Sequence, residues 1–365
     1  MSREALETRL GTAASVEGAS ARPPDSERKK GQRAEWQKYF APNRLSALYL
    51  WIIFVVVFGA LHPNLFFTQT TFKLVFTENV IVGVLALAFL IPLVANTYDL
   101  SIGAVMSLGL LLVNWFGVHT GVNAALAGVI AVAACAAVGF VSGFVVVKLK
   151  VNSFIATLGV AQIVTGVVLY ISQTKQITGA FSNTYKLWGR REVLGVPILV
   201  IYLLIIAVVL WFVLEHTAPG RYLFATGGNE QAARLAGVPT DRAIWVSLVA
   251  SGAIAGFAGV IYSMKIATFS TTVGPGYLFP AVTAVFFGAS QFQKRPNVWG
   301  TVIALYALAF GIKGLQLQFT DGAYWIEPLF QGTTLILAVS LAARQGHGAL
   351  KRHRAPGTEA DSEGS

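Results

Sequence analysis

The chain has 365 residues, of which 55% are hydrophobic and only 12% are charged, and its mean hydropathy is +0.63. A soluble domain carries roughly 25% charged residues, so this composition excludes a water-soluble globular protein. The formal net charge of +10 does not indicate a nucleic-acid-binding protein, because the basic residues lie mainly in the tails and short loops, as in membrane proteins.

The two ends of the chain differ in composition from the middle. Residues 1–44 mix basic, acidic, Ser and Gly residues without an apolar stretch, which predicts a disordered N-terminal tail. Residues 344–365 have the same character and predict a disordered C-terminal tail. The segment between them, residues 45–343, is the predicted membrane domain.

This membrane domain contains apolar runs of about 20 residues, each long enough to cross a hydrocarbon core of about 30 Å. The sequence therefore predicts an all-α, polytopic membrane protein with about ten transmembrane helices. The predicted spans are 45–62, 75–96, 98–117, 123–147, 151–172, 196–215, 243–265, 279–291, 297–318 and 324–342. The eighth is short for a full crossing and is interpreted as broken or re-entrant.

The basic residues also predict an orientation. Those that precede the first span and those in the C-terminal tail favour two cytoplasmic tails, which an even number of spans allows. The loop 173–195 disagrees with this rule. It carries Lys175, Lys186, Arg190 and Arg191, yet the count of spans places it outside.

Two small-residue motifs lie inside the spans, Gly139-x-x-x-Gly143 and Gly252-x-x-x-Gly256. Such motifs let helices approach closely. They fit tight packing within one bundle, and a dimer seam is the alternative.

The long loop between the sixth and seventh spans contains a short helix signature. Asn229 is a good N-cap, Glu230 suits the positive end of the helix dipole, and Gly237 can supply a left-handed C-cap before Pro239. A short capped helix of this kind can dock into a cleft on another protein. An ordinary structured loop is the alternative.

The same loop resembles the cytoplasmic loop of permease subunits in ribose-type ABC sugar importers, whose motif reads approximately G-R-Y-x-Y-A-x-G-G-N-x-x-A-A-R-L-x-G-I. Here the matching stretch runs from Gly220 to Val238. Three further stretches fit the family in the same order, Asp99-Leu100-Ser101-Ile102-Gly103, Phe154-Ile155-Ala156-Thr157-Leu158-Gly159, and Gly276-Tyr277-Leu278-Phe279-Pro280-Ala281 continuing to Arg295-Pro296-Asn297-Val298-Trp299-Gly300-Thr301. The chain departs from the family pattern at Thr97-Tyr98 and at Ser153.

This resemblance implies a permease subunit of an ABC importer in the inner (plasma) membrane, which moves a monosaccharide or a similar small polar solute by alternating access. It implies an ATP-binding partner subunit, an external solute-binding protein and a second permease copy or paralogue. The chain has no Gly-x-x-x-x-Gly-Lys-Ser/Thr phosphate loop, so ATP and Mg are expected to be used by the partner, with no cofactor bound here. The expected ATPase-docking residues are Gly220, Arg221, Gly228, Asn229, Glu230, Ala232, Ala233, Arg234, Leu235 and Gly237.

Polar residues inside or beside the spans are candidates for the translocation path. The polar candidates are Asn96, Asp99, Ser101, Asn152, Thr157 and Gln162, and the aromatic Phe154 is included with them. Asp99 has an equal alternative as a residue that caps the start of the third span, and the polar residues of the fifth span could instead bond to neighbouring helices. The spans contain no paired carboxylates, metal ligands or nucleophile–base set, which argues against a membrane-embedded enzyme. A stand-alone secondary carrier or facilitative channel is the remaining alternative, with Asp99 and Lys313 as its main ionisable candidates.

Overall fold

A computed structural model describes residues 46–178, 183–291, 295–319 and 323–352 of the chain. Its helices are α1 Ser46–Leu61, α2 Pro63–Phe66, α3 Gln69–Glu78, α4 Val80–Val94, α5 Ile102–His119, α6 Ala124–Val147, α7 Ser153–Ser172, α8 Asn183–Arg190, α9 Ile198–His216, α10 Ala218–Gly228, α11 Glu230–Leu235, α12 Thr240–Ile266, α13 Val273–Gly276, α14 Leu278–Gln291, α15 Val298–Gln318 and α16 Ile326–Arg352. A 3-10 helix, Ala323–Trp325, precedes α16, and four two-residue strands complete the described secondary structure, β1 Ile177–Thr178, β2 Glu192–Val193, β3 Val196–Pro197 and β4 Thr268–Phe269.

Eight helical segments of the described residues are long and apolar enough to cross a membrane. They are Gln69–Val94, Ile102–His119, Ala124–Val147, Ser153–Ser172, Ile198–His216, Thr240–Ile266, Val273–Ser290 and Val298–Gln318, and they correspond to the second to ninth predicted spans. The first predicted span coincides with the shorter apolar helix α1, and the tenth coincides with the first part of α16. The predicted all-α, multi-pass architecture is confirmed.

Two span boundaries differ from the prediction in an informative way. The eighth span begins at Val273, not at 279, and consists of α13 and α14 with an interruption at Tyr277, so the expected break is present. The third span begins at Ile102 and not at 98. Residues 98–101 lie outside the helix because the backbone there turns around the side chain of Asp99.

The predicted C-terminal tail begins within a helix. Helix α16 continues to Arg352, through residues that were assigned to the disordered tail, and residues 353–365 lie outside the described part. The continuation agrees with helix propensity, since residues 342–352 include Ala, Arg, Gln, Leu and Lys. Residues 1–44, the predicted N-terminal tail, also lie outside the described residues.

The loops gather at two opposite ends of the bundle. At one end, which we call the Asp241 end, Lys150 in the loop after α6 pairs with Asp241 at the start of α12, with 3.5 Å between Nζ and Oδ2. At the other, which we call the Glu78 end, Lys265 near the end of α12 pairs with Glu78 at 2.7 Å. These two pairs place the loop after α6 beside the start of α12 and the end of α12 beside Glu78, as the predicted span count requires.

The loop 173–195, whose basic residues conflicted with its predicted place, lies at the Glu78 end. Strand β1 in this loop pairs antiparallel with β4 after α12, and Arg190 Nε donates to the carbonyl oxygen of Lys265 at 3.3 Å. Lys73 of α3 pairs with Glu192 of the loop at 2.7 Å. Backbone pairing and side-chain hydrogen bonds therefore hold the loop at the Glu78 end, although its basic residues conflict with the charge rule.

Helix α4 forms the centre of the bundle. All its residues from Val80 to Val94 are buried, which is typical of a helix that is apolar on every side and surrounded by other helices. Helix α12 packs beside it and against α5 and α6. These contacts bury most of α12 from Ser247 to Ser263, whereas residues near its start, such as Arg242 and Val246, are exposed.

The small-residue motifs pack against each other inside this bundle. A Cβ atom at Gly252 of α12 would lie 2.6 Å from the carbonyl oxygen of Cys135 and 3.1 Å from Cα of Gly139, both on α6. A Cβ atom at Gly139 would lie 2.9 Å from Cα of Val249. Packing within one bundle is therefore the correct interpretation, because the faces that a dimer seam would need are occupied.

Candidate functional site

The segment 217–239 at the Asp241 end, which we call the surface segment, contains two short helices. The predicted one is α11, where Oδ1 of Asn229 accepts a hydrogen bond from the backbone N–H of Ala232 at 3.0 Å. Gly237 follows with a φ of +83°, the left-handed conformation in which glycine is favoured. The expected N-cap and C-cap are therefore both present.

The second helix of the surface segment, α10, was not predicted. Its sequence contains Pro219 and a Gly227-Gly228 pair, which disfavour a helix interior. Packing against the rest of the bundle stabilises α10 instead, since Leu223 and Thr226 are buried. A Cβ atom at Gly227 would overlap the carbonyl oxygen of Val94, so this glycine lets α10 lie directly on the end of α4.

Ion pairs join the surface segment to α12. The guanidinium of Arg234 lies 3.0 Å from Glu230 on its own helix and 2.6 Å from Asp241 on α12. It also donates to the hydroxyl of Thr240 at 3.1 Å. Asp241 receives Lys150 as a second cation, so one carboxylate connects the surface segment, α12 and the loop before α7. Such partly exposed pairs contribute only about 0–1 kcal/mol each, and their main effect is to fix geometry.

A further connection was not found from the sequence because it joins distant residues. Arg295, before α15, makes two hydrogen bonds to the carboxylate of Glu215 near the end of α9, at 2.9 and 3.1 Å. The same guanidinium lies over the ring of Phe224 in α10, 4.7 Å from its centroid. The surface segment is therefore held by α4, α9, α12 and the start of α15.

The outer side of the surface segment remains exposed. Of the ten predicted docking residues, Arg221, Gly228, Asn229, Glu230, Ala232, Arg234, Leu235 and Gly237 are exposed, whereas Gly220 and Ala233 are buried. Leu235 is 91% exposed. The buried pair can shape the segment but cannot touch a partner. The exposed residues form one face in which a leucine has no partner among the described residues.

The connection between α4 and α5, residues 95–101, forms a buried polar turn at the same end. Asp99 is 1% exposed, and its Oδ1 accepts hydrogen bonds from N–H and Oγ of Ser101 at 3.0 and 2.5 Å. Thr157 of α7 accepts from the N–H of Leu100 at 3.0 Å and donates to the carbonyl oxygen of Tyr98 at 3.3 Å. Asp99 therefore fixes the turn before α5, whereas the N-cap position of α5 is Ser101, which makes no side-chain capping hydrogen bond.

The other predicted path residues do not converge with this turn into one cavity. Asn152 caps α7 by accepting from the N–H of Phe154 at 3.0 Å, and both side chains are exposed. Gln162 is exposed on the outer face of α7, and Asn96 is exposed with a φ of +55°. Two cavities among the described residues have volumes of about 1140 and 520 Å³, and none of the predicted path residues lines either.

Comparison with known proteins places this architecture in a family. The family model described as "Branched-chain amino acid transport system / permease component" matches residues 72–339, which is most of the membrane domain. The chain belongs to this permease family. The resemblance noted from the sequence motifs is confirmed.

The chain is also similar to permeases that are named for the import of several sugars. The chain is 28% identical over 316 residues to a ribose import permease of Escherichia coli (strain K12), which covers 84% of this chain and 97% of the relative. It is 28% identical to a D-allose transport system permease of the same organism, covering 84% and 91%. It is 29% identical to a fructose import permease of Rhizobium meliloti, covering 80% and 82%. No solved structure matches the chain.

Proposed function

We propose that this permease is the membrane-spanning subunit of an ABC importer that carries a monosaccharide or a similar small polar solute by alternating access. Three sugar import permeases align with most of its length, and the family that it belongs to consists of transport permeases. The family description names branched-chain amino acids, so the sugar assignment rests on these relatives. No covalent chemistry is assigned to this chain.

The surface segment is the observation that carries the proposal. It combines an exposed face with firm seating on α4 and α12, two helices that run through the bundle. A force applied by a partner to this face would therefore reach the spans directly. We assign the face to docking of an ATP-hydrolysing subunit, which supplies the ATP and Mg chemistry.

The Asp241 end is then cytoplasmic, and the Glu78 end faces the external solute-binding protein. Both termini are cytoplasmic in this arrangement, in the inner membrane. A second permease copy or a paralogue completes the membrane pair. The basic loop 173–195 lies outside, in agreement with the span count.

The test uses the complete importer, reconstituted in proteoliposomes with its ATPase and solute-binding protein. Leu235→Glu places a charge on the exposed docking face without removing a contact, because this leucine is 91% exposed. We expect the variant to insert normally but to lose ATPase association and ATP-driven uptake. Leu194→Glu is the matched control, since Leu194 is 100% exposed at the Glu78 end, and ATPase association should be unchanged there.

Normal ATPase association and uptake with Leu235→Glu would contradict the docking assignment. Solute uptake by the purified chain without any ATPase or ATP would instead indicate the alternative, a stand-alone carrier. In that alternative, the ionisable candidate is Lys313. This residue is a cation within α15 and forms no ion pair with the residues the structure describes.

A further inference from the structure

We propose that a polar cleft at the Glu78 end is a binding site, within one permease subunit, for a neutral polyhydroxylated solute. The inference rests on the proposed function and deepens it, because it names a site and a chemical class of solute. The cleft, which we call the Glu78 cleft, has a volume of about 520 Å³. Small-molecule sites in proteins usually fall between ~300 and ~1,000 Å³.

Five separate parts of the chain meet at the Glu78 cleft. Its polar lining comes from α3, α12, the broken span α13–α14, α15 and the start of α16, and includes Glu78, Tyr262, Tyr277, Lys313, Gln316 and Glu327. These parts are far apart in sequence, and the lining therefore could not be recognised from spacing. Gly276 and Tyr277, which begin the late-membrane motif of the family, form part of the wall.

The charges around the Glu78 cleft balance. Glu78 pairs with Lys265 at 2.7 Å, and the second carboxylate, Glu327, accepts a hydrogen bond from Gln331 at 2.9 Å. Lys313 has no ion pair among the described residues. Two carboxylates and two ammonium groups together favour a ligand without net charge, and both kinds of group can bond to hydroxyls.

Two aromatic rings give the Glu78 cleft an apolar side. Tyr262 and Tyr277 lie with their centroids 5.8 Å apart at an interplanar angle of 72°. A ring of this kind offers an apolar face together with a hydroxyl. Carboxylates, an ammonium group, an amide and tyrosines in one cleft suit a solute with hydroxyls on its edge and C–H groups on its face.

Helix α12 connects the Glu78 cleft to the surface segment. It begins beside Asp241, which pairs with Arg234, and it carries Tyr262 into the cleft wall. Its 27 residues correspond to roughly 40 Å at about 1.5 Å per residue. A displacement of its cytoplasmic end would therefore change the cleft at the other end, as alternating access requires.

Gly276 provides a direct test of the Glu78 cleft. It lines the cleft, and a Cβ atom built on it would meet no atom within 4 Å. Gly276→Leu should therefore fill the cleft without displacing the fold. We expect ATP-driven uptake of ribose, D-allose or fructose by the reconstituted importer to fall about tenfold or more, with ATPase association and the melting midpoint unchanged.

The second variant removes the positive charge of Lys313, and its control changes a lysine at the same end of the bundle. Lys313→Met should lower the uptake rate by about tenfold. Lys175→Met removes an exposed lysine outside the cleft, whose only described partner is Gln173, and should leave uptake unchanged. Normal uptake by both Gly276→Leu and Lys313→Met would overturn the proposal.

A binding measurement separates this proposal from the proposed function. The only native cysteine, Cys135, is buried, so Gln316→Cys introduces the single accessible thiol of the chain. We expect the sugar that the importer transports, at millimolar concentration, to slow modification of this thiol by an impermeant maleimide about threefold or more, and not to slow it in Lys175→Cys. Unchanged labelling in an importer that transports the sugar would refute the cleft alone. Absence of ATP-driven uptake in the wild-type importer would refute the proposed function.

Discussion

The close approach of α10 to α4 leads to a sharp prediction about two adjacent glycines. In Gly227→Ala, the new methyl group would overlap the carbonyl oxygen of Val94 and lie 3.0 and 3.2 Å from the carbonyl carbons of Val94 and Ala95. These are backbone atoms, which cannot rotate away as a side chain can. Overpacking of this kind costs about 1–3 kcal/mol, so the seated position of α10 should be disfavoured about 5–150-fold.

The neighbouring glycine is the matched control. A Cβ atom at Gly228 would meet no atom within 4 Å, so Gly228→Ala adds the same methyl group in open space. We expect Gly227→Ala to insert in the membrane but to lower the thermal midpoint and lose most ATP-driven uptake in proteoliposomes. Gly228→Ala should leave the thermal midpoint unchanged, because its methyl group displaces no atom. Uptake by Gly227→Ala within about twofold of the wild type would refute the idea that seating on α4 transmits the ATPase movement.

Three further changes test the packing and the polar turn. Gly139→Leu should prevent α6 from approaching α12 and lower the thermal midpoint in detergent, and an unchanged midpoint would contradict the packing described here. Glu215→Gln weakens the two hydrogen bonds with Arg295 and should cost about 0.5–1 kcal/mol, because the pair is partly exposed. A double-mutant cycle with Arg295→Met measures that coupling, and zero coupling would show that the pair contributes nothing. Asp99→Asn keeps an acceptor for Ser101 and should retain stability and uptake, whereas Asp99→Ala leaves the buried donors of Ser101 without an acceptor and should lose about 1–3 kcal/mol of stability. If Asp99→Asn lost uptake while its stability stayed normal, transport would require the negative charge of Asp99.

The spans were predictable because each is a uniform apolar run. The fourth span was expected at 123–147, and helix α6 occupies Ala124–Val147. The fifth was expected at 151–172, and α7 begins at Ser153 because Asn152 acts as its N-cap. In these cases the local sequence and the apolar membrane both favour a helix over the same residues. Contacts between distant residues therefore change only the ends of the helix.

Helix α10 was not predictable for the opposite reason. Its residues Pro219, Gly227 and Gly228 disfavour a helix, and the helix depends on Val94, which lies more than a hundred residues earlier. The ion pair of Arg295 with Glu215 and the lining of the Glu78 cleft also join distant residues. The sequence motif therefore identifies the surface segment, but only the folded structure shows which helices the segment packs against.

The place of α12 explains why the two ends of the bundle should act together. Gly252 lies against the backbone of α6 and Gly256 against Cys135 of the same helix, whereas Gly259 lies against α5, where a Cβ atom would be 2.6 Å from the backbone nitrogen of Leu110. Protein interiors are close-packed and transmit strain, so a helix enclosed in this way can shift along its neighbours but cannot absorb a displacement by bending into free space. The ion pairs of Asp241 fix its first turn to the surface segment, and the ion pair of Lys265 fixes its last turn to Glu78. A movement imposed at the Asp241 end is therefore expected to appear at the Glu78 cleft, which is the mechanical link that the proposed ATP-driven mechanism requires.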